Sequence, residues 1–292
     1  MHAREALDAY ATQLAADGRA PATVKQARLL IGAFVAWLED GSGSTDVADL
    51  GHEDVARFLT SDAALLRRDG QPKKASSANA LRTALRQWGR FLVDAGYTPT
   101  NPTRLVRLAR TSPAPPRGLS KDEVRRLLAA VDAAKGSLAR RDGVLIRLML
   151  GTGLRLSSAL ALRVEDLDPD HGEILVRRVK GDRPTVLPIS RRVARILATY
   201  TGSRTDGPVF RNSYGHSLGN RDAGRRIAAW ADKAGLAGKA HAHAFRHSHA
   251  MALYRQTRDL GVVKEALGHA SLSTTQVYAR ADQRALRAAL RR

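Results

Sequence analysis

The sequence predicts a mainly α-helical chain in two domains. Residues 1–110 read as a helical bundle, and residues 119–292 as an α+β domain with one small antiparallel sheet. Three observations carry that expectation. Apolar side chains recur at three- and four-residue steps before residue 110, which is the helical period. Residues 111–118 place three prolines within four positions, which favours extended backbone and stops a helix, so they read as a linker. Beyond the linker, residues 172–179 and 185–189 alternate apolar and polar side chains, as strands do.

Taken in order, Pro21 suits a first helical turn, and Val24, Ala27, Ile31, Phe34 and Leu38 form the apolar stripe that follows it. Leu81, Leu85, Trp88 and Leu92 make a second stripe. On another face of that same helix Arg82, Arg86 and Arg90 recur at every fourth position, with Lys73 and Lys74 just upstream. A charged helix face is commonly just solvated. This one reads as carrying a single sign, which suits contact with a DNA backbone. After the linker, Leu119-Ser-Lys-Asp-Glu123 has the form of a helix start, with Ser120 as N-cap and Glu123 at the third helical position. A long helix around residues 143–150 runs into Gly151-Thr-Gly-Leu-Arg155. The tight Lys180-Gly-Asp-Arg183 turn joins the two strands as a hairpin, and from Arg191 onward the pattern is helical.

Charge narrows the partners. Forty-eight Lys and Arg against 28 Asp and Glu give a net charge of +20 over 292 residues, and a polyanionic partner is the simplest reason to carry it. The excess is uneven. Residues 1–64 hold five basic and ten acidic side chains, residues 65–110 ten and two, and residues 111–292 thirty-three and sixteen. There is no cysteine, which excludes disulfides and thiolate catalysis and leaves any zinc to His and carboxylates. His241, His243, His247, His249 and His269 are numerous, yet no His-Glu-x-x-His motif accompanies them, so no metal or other cofactor is expected. No apolar run reaches membrane-spanning length and no signal-peptide core is present, so a cytoplasmic, nucleoid-associated protein is expected.

Four separated segments belong together: Thr152-Gly-Leu-Arg-Leu-Ser157, the hairpin Lys180, His243-Ala-Phe-Arg-His247, and Leu267-Gly-His-Ala followed by Thr274-Thr-Gln-Val-Tyr278. In this order, with His269 nine residues before Tyr278, they resemble the tyrosine recombinase family, which includes Xer-type recombinases and phage integrases. The resemblance covers the whole second domain and, more loosely, the first. It implies a SAM-like core-binding domain over residues 1–110 and a tyrosine recombinase catalytic domain over residues 119–292, closing on the duplex like a clamp.

The resemblance also implies roles, and phosphoryl-transfer chemistry gives each a reason. Arg155 and Arg246 would clamp the non-bridging oxygens, because guanidinium is planar, bidentate and always charged. Tyr278 would attack phosphorus, leaving a 3′-phosphotyrosyl bond and a free 5′-hydroxyl; the stored bond makes ATP unnecessary. A phenol titrates near pH ~10 and needs activation at neutrality. His243 would serve as the base, and His269 would hydrogen-bond a non-bridging oxygen. Lys180 would protonate the leaving 5′-oxygen, with Arg177, Arg178 and Arg183 as competing cations. His247 would pack against or support the site. One position departs from the family: Ser158 stands where an acidic residue is usual, three after Arg155.

The partners implied are double-stranded DNA with a specific recombination site and further protomers: a homotetramer on DNA, or a heterotetramer with a related recombinase, working through a Holliday junction. No membrane is involved. Residues 279–292, with Leu286 and Leu290 four apart, would dock on a neighbouring protomer. Two other functions share many of these features. A type IB topoisomerase has the same active-site chemistry, and a DNA-binding protein that kept only the fold would need neither Tyr278 nor Lys180.

Overall fold

The computed structural model describes residues 1–110, 118–177 and 184–268. It divides into two compact units, Met1–Pro113 and Ala114–Arg292, each with its own apolar core. The mainly helical class with a small antiparallel sheet is as the sequence predicts.

In the first unit, α1 (Ala3–Ala16) and α2 (Pro21–Trp37) pack with α3 (His52–Thr60), α4 (Asp62–Leu65) and α5 (Ala75–Asp94). Pro21 opens α2, where its missing N–H costs nothing, and Ile31, Phe34 and Val35 are buried along it. Phe34 stands 6.1 Å from Trp88, edge to face, and 4.9 Å from Phe58. Such pairs contribute about 0.5–1.5 kcal/mol each beyond their buried area. Leu81, Leu85, Trp88 and Leu92 are all buried on one face of α5, as their spacing predicts.

The second unit opens with the capping box read from the sequence. Ser120 Oγ accepts from the Glu123 backbone N–H at 3.2 Å, and Glu123 Oε2 accepts from the Ser120 N–H at 2.8 Å. Helices α6 (Lys121–Asp132), α7 (Ser137–Thr152), α8 (Leu156–Leu160), α9 (Arg191–Thr201), α10 (Asn220–Lys233), α11 (Ala242–Thr257) and α12 (Leu260–Leu267) make up the rest, with the sheet between α8 and α9. The sheet has one strand more than the sequence predicts. Strand β1 (Leu167–Asp168) pairs antiparallel with β2 (Glu173–Val176), which pairs antiparallel with β3 (Thr185–Pro188), Val176 facing Thr185. Two residues are too few to leave a period-two signature, which is why β1 escapes the sequence. The turn holding Lys180 lies outside the described residues.

Helix α7 is the spine of this unit. Val144, Leu145, Ile146, Leu148 and Met149 are buried along it. It also carries a buried ionic knot. Asp142 Oδ1 accepts from Arg141 Nε and Nη2 at 3.1 and 2.9 Å, and its Oδ2 accepts from Arg226 Nε at 2.6 Å and Trp230 Nε1 at 2.8 Å. Burying a carboxylate is costly unless its lone pairs are filled; here four donors fill them and tie α7 to α10. Among the described residues no helix is long and apolar enough to cross a membrane.

Candidate active site

The site is built around the end of α7. Gly153 follows its last residue with φ +67°, ψ 12°, the left-handed conformation that ends a helix cheaply only as glycine. Its N–H donates to Met149 O at 2.9 Å. The chain then turns directly into Arg155, half-buried at the N-cap of α8.

Helix α11 crosses this turn. Arg246, 5 % exposed, donates from Nη1 to Gly153 O at 2.7 Å and from Nη2 to Leu267 O at 2.6 Å. One guanidinium therefore joins the Gly153–Arg155 turn, α11, and the residue that ends α12 just before His269. The two carbonyl oxygens fix the plane of the guanidinium.

His243 lies one turn before Arg246. Its ring contacts His247 edge to face, centroids 4.5 Å apart. Its pKa is lowered from the ordinary histidine value, first by partial burial and then by the electrostatic influence of Arg246, His241 and Arg155. That pattern brings Arg155, His243 and Arg246 into one electrostatic neighbourhood and keeps the imidazole neutral near pH 7, able to accept a proton. A pocket of about 300 Å³ opens beside it, lined by Leu119, Glu123, Lys239, His241, His243 and His247 among others. Lys180, His269 and Tyr278 lie outside the described residues.

The remaining histidines have separate tasks. His241 caps α11, its Nδ1 accepting from the Ala244 N–H at 3.2 Å. His249 Nδ1 lies 3.2 Å from Leu150 O. Among the described residues no group of His and carboxylates is arranged to hold a metal. Ser158, at the position where an acidic residue is usual, is buried on α8.

Several cations stand differently from their sequence reading. Arg177, a rival to Lys180, pairs through Nε with the buried Asp166 at 2.5 Å. Arg178 and Arg183 lie outside the described residues. In the first unit Lys74 is exposed at the N-cap of α5, Arg82 is half-buried and Arg86 is exposed. The arginine face is not of one sign, because Arg90 pairs with Asp94 one turn on, Nε to Oδ2 at 3.5 Å. Lys73 is half-buried, its ammonium donating to Ala63 O at 2.8 Å and Ala64 O at 2.9 Å, so it braces the α4 segment. The sequence reading missed Gly153 and His249 as parts of this site. The left-handed turn at Gly153 has a signal in Thr-Gly-Leu-Arg; His249 has none, because its partner is 99 residues away.

Known proteins resemble the chain in sequence and in fold. The phage integrase family profile matches residues 117–284. The chain is 35 % identical to the tyrosine recombinase XerC of Chromohalobacter salexigens, covering 90 % of this chain and 86 % of that protein. It is 29 % identical to the tyrosine recombinase XerA of Thermococcus kodakarensis, over 98 % and 94 % respectively. Among solved structures, a lambda integrase dimer bound to a core site superposes with TM-score 0.73 at 20 % identity, covering 94 % of this chain and 97 % of that one. The XerH site-specific recombinase in a post-cleavage complex with its difH substrate gives 0.72 at 22 %, covering 96 % and 84 %.

Proposed function

The chain belongs to the phage integrase family of tyrosine recombinases, and from that premise we propose which of its residues break and rejoin DNA. The protein is a site-specific recombinase acting by the tyrosine mechanism. Arg155 and Arg246 clamp the non-bridging oxygens of the scissile phosphate, and His269 adds a hydrogen bond to them. The Tyr278 phenolic oxygen attacks phosphorus as its proton passes to His243. The bond from phosphorus to the 5′-oxygen breaks, and that oxygen takes a proton from Lys180. A 3′-phosphotyrosyl bond and a free 5′-hydroxyl result. Reversal with a 5′-hydroxyl from a second duplex rejoins the strands, so no cofactor is consumed.

The observation that carries this reading is Arg246, buried and held by Gly153 O and Leu267 O between two of the motif segments. These two contacts fix the plane of a guanidinium, the planar group that meets phosphate oxygens in pairs. The first unit supplies backbone contacts through Lys74, Arg82 and Arg86. Arg90 and Lys73 contribute less, because each already has partners. Four copies assemble on two sites through a Holliday junction, either alone or with a related recombinase. Such a tetramer is the form in which lambda integrase, of similar fold, has been solved. Because its substrate is DNA, the protein works in the cytoplasm.

The test is Tyr278→Phe, which removes one oxygen and leaves the cationic surface intact. On a nicked suicide substrate, specific DNA binding persists and covalent adduct falls to background. An adduct that survives on another residue overturns the assignment. Relaxation of plasmids carrying no particular site would move the reading to a type IB topoisomerase.

A further inference from the structure

We infer that His249 is a positioning residue of the strand-transfer site, acting through a hydrogen bond from Nδ1–H to Leu150 O that fixes the turn carrying Gly153 and Arg155. The inference rests on the reading of Arg155 and Arg246 as the phosphate clamp.

A helix leaves its last carbonyls without partners in the helix itself. At the end of α7, Met149 O is met by the Gly153 N–H at 2.9 Å. Leu150 O, next in line, lies 3.2 Å from His249 Nδ1. A carbonyl only accepts, so the ring must carry its proton on Nδ1. His249 and Arg246 are three apart on α11 and share a face. From that face two donors reach carbonyls at the end of α7, His249 to Leu150 O and Arg246 to Gly153 O. The ring also lies against the turn. A β-carbon added at Gly153 would fall 2.8 Å from His249 Cδ2 and 2.8 Å from Leu267 Cδ2. His249 thus fills the space a side chain would need and bonds the carbonyl that the turn leaves behind.

The ring belongs here as a neutral donor. Burial lowers its pKa foremost, the charge of Arg246 lowers it further, and the Leu150 carbonyl only partly opposes them. A neutral ring adds no repulsion against the Arg246 guanidinium and still donates to the carbonyl that ends the helix. The Gly153 carbonyl that locates Arg246 and the backbone that aims Arg155 therefore share one support outside the catalytic set.

Three variants test this in the full-length protein. His249→Phe keeps the ring and removes the donor. His249→Leu also removes the donor, with an aliphatic chain in place of the ring, in case the phenyl ring disturbs folding. His249→Asn keeps an N–H at the same distance from the backbone. The readouts are DNA affinity, melting temperature and the single-turnover rate of covalent adduct formation. The two donorless variants slow adduct formation on the order of ten- to a hundredfold, as misplaced catalytic groups do, while affinity holds and Asn recovers most of the rate. Histidine-selective ¹⁵N spectra of the unmodified protein read the tautomer directly, with the proton on Nδ1. A proton on Nε2, a donorless variant at the parental rate, or an Asn variant that folds yet stays as slow as Phe overturns the inference. Arg246→Ala separates this from the clamp reading. If that variant is inactive while His249→Phe is not, only the His249 inference fails; if Arg246→Ala cleaves normally, the clamp itself is wrong.

Discussion

Substituting Gly153 by alanine puts two separable costs on one turn. The first is conformational: at φ +67° an L side chain crowds the following carbonyl, at about 1–2 kcal/mol. The second is steric: the new β-carbon would meet His249 Cδ2, a ring atom, and the terminal methyl Cδ2 of the buried Leu267, both at 2.8 Å. Overpacking of that kind costs about 1–3 kcal/mol. Together they come to about 2–5 kcal/mol, a fall in Tm of roughly 5–15 °C for a domain of this size. Gly268 provides the matched control. It sits at φ 60°, ψ 44° after α12, with nothing within 4 Å of a new β-carbon, so Gly268→Ala carries the conformational cost alone. Urea denaturation of the two variants yields the difference. Adduct formation in Gly153→Ala falls as well, because any shift of Gly153 O moves Arg246 with it. Equal destabilisation in both variants would refute the steric argument, and parental cleavage in a folded Gly153→Ala would refute the link from that carbonyl to the clamp.

Other expectations follow from the same contacts. Arg246→Lys keeps the charge but cannot span Gly153 O and Leu267 O with one planar group. Adduct formation should drop about a hundredfold or more with DNA affinity retained, and a near-parental rate in a quench assay would count against the clamp. Asp142→Ala leaves Arg141, only 4 % exposed, without its carboxylate. Urea unfolding should show a loss of about 3–5 kcal/mol, and a loss within experimental error would mean the knot is already solvated. His243 has its pKa lowered by burial and by neighbouring arginines. As the base it is active when neutral, so cleavage holds above the ordinary histidine value of about 6.5 and falls only at more acid pH. A pH–rate profile for single-turnover cleavage reads the midpoint, and an acid limb above that value, or one unchanged in His243→Gln, would argue against this role.

The sequence by itself determined the class of fold, the helix stripes and the kind of chemistry. These follow from local rules. The stripe from Leu81 to Leu92 is buried because a 3.6-residue period puts those side chains on one face. The Ser120–Glu123 box forms because both partners lie within one turn. The order of Arg155, Lys180, His243, Arg246, His269 and Tyr278 points to the reaction because it resembles that of the tyrosine recombinase family, and phosphoryl transfer offers each group a use.

The tertiary structure decided which polar groups meet, because hydrogen bonds between distant segments leave no period in the chain. Arg246 reaches Gly153 O across 93 residues, His249 reaches Leu150 O across 99, and Asp142 meets Arg226 across 84. The same limit explains the basic face of α5. A charge pattern counts cations but does not reveal that Lys73 turns inward to two carbonyls. A phosphate contact and a structural brace use the same residue type, and only the fold, by setting what lies within hydrogen-bonding distance, separates them.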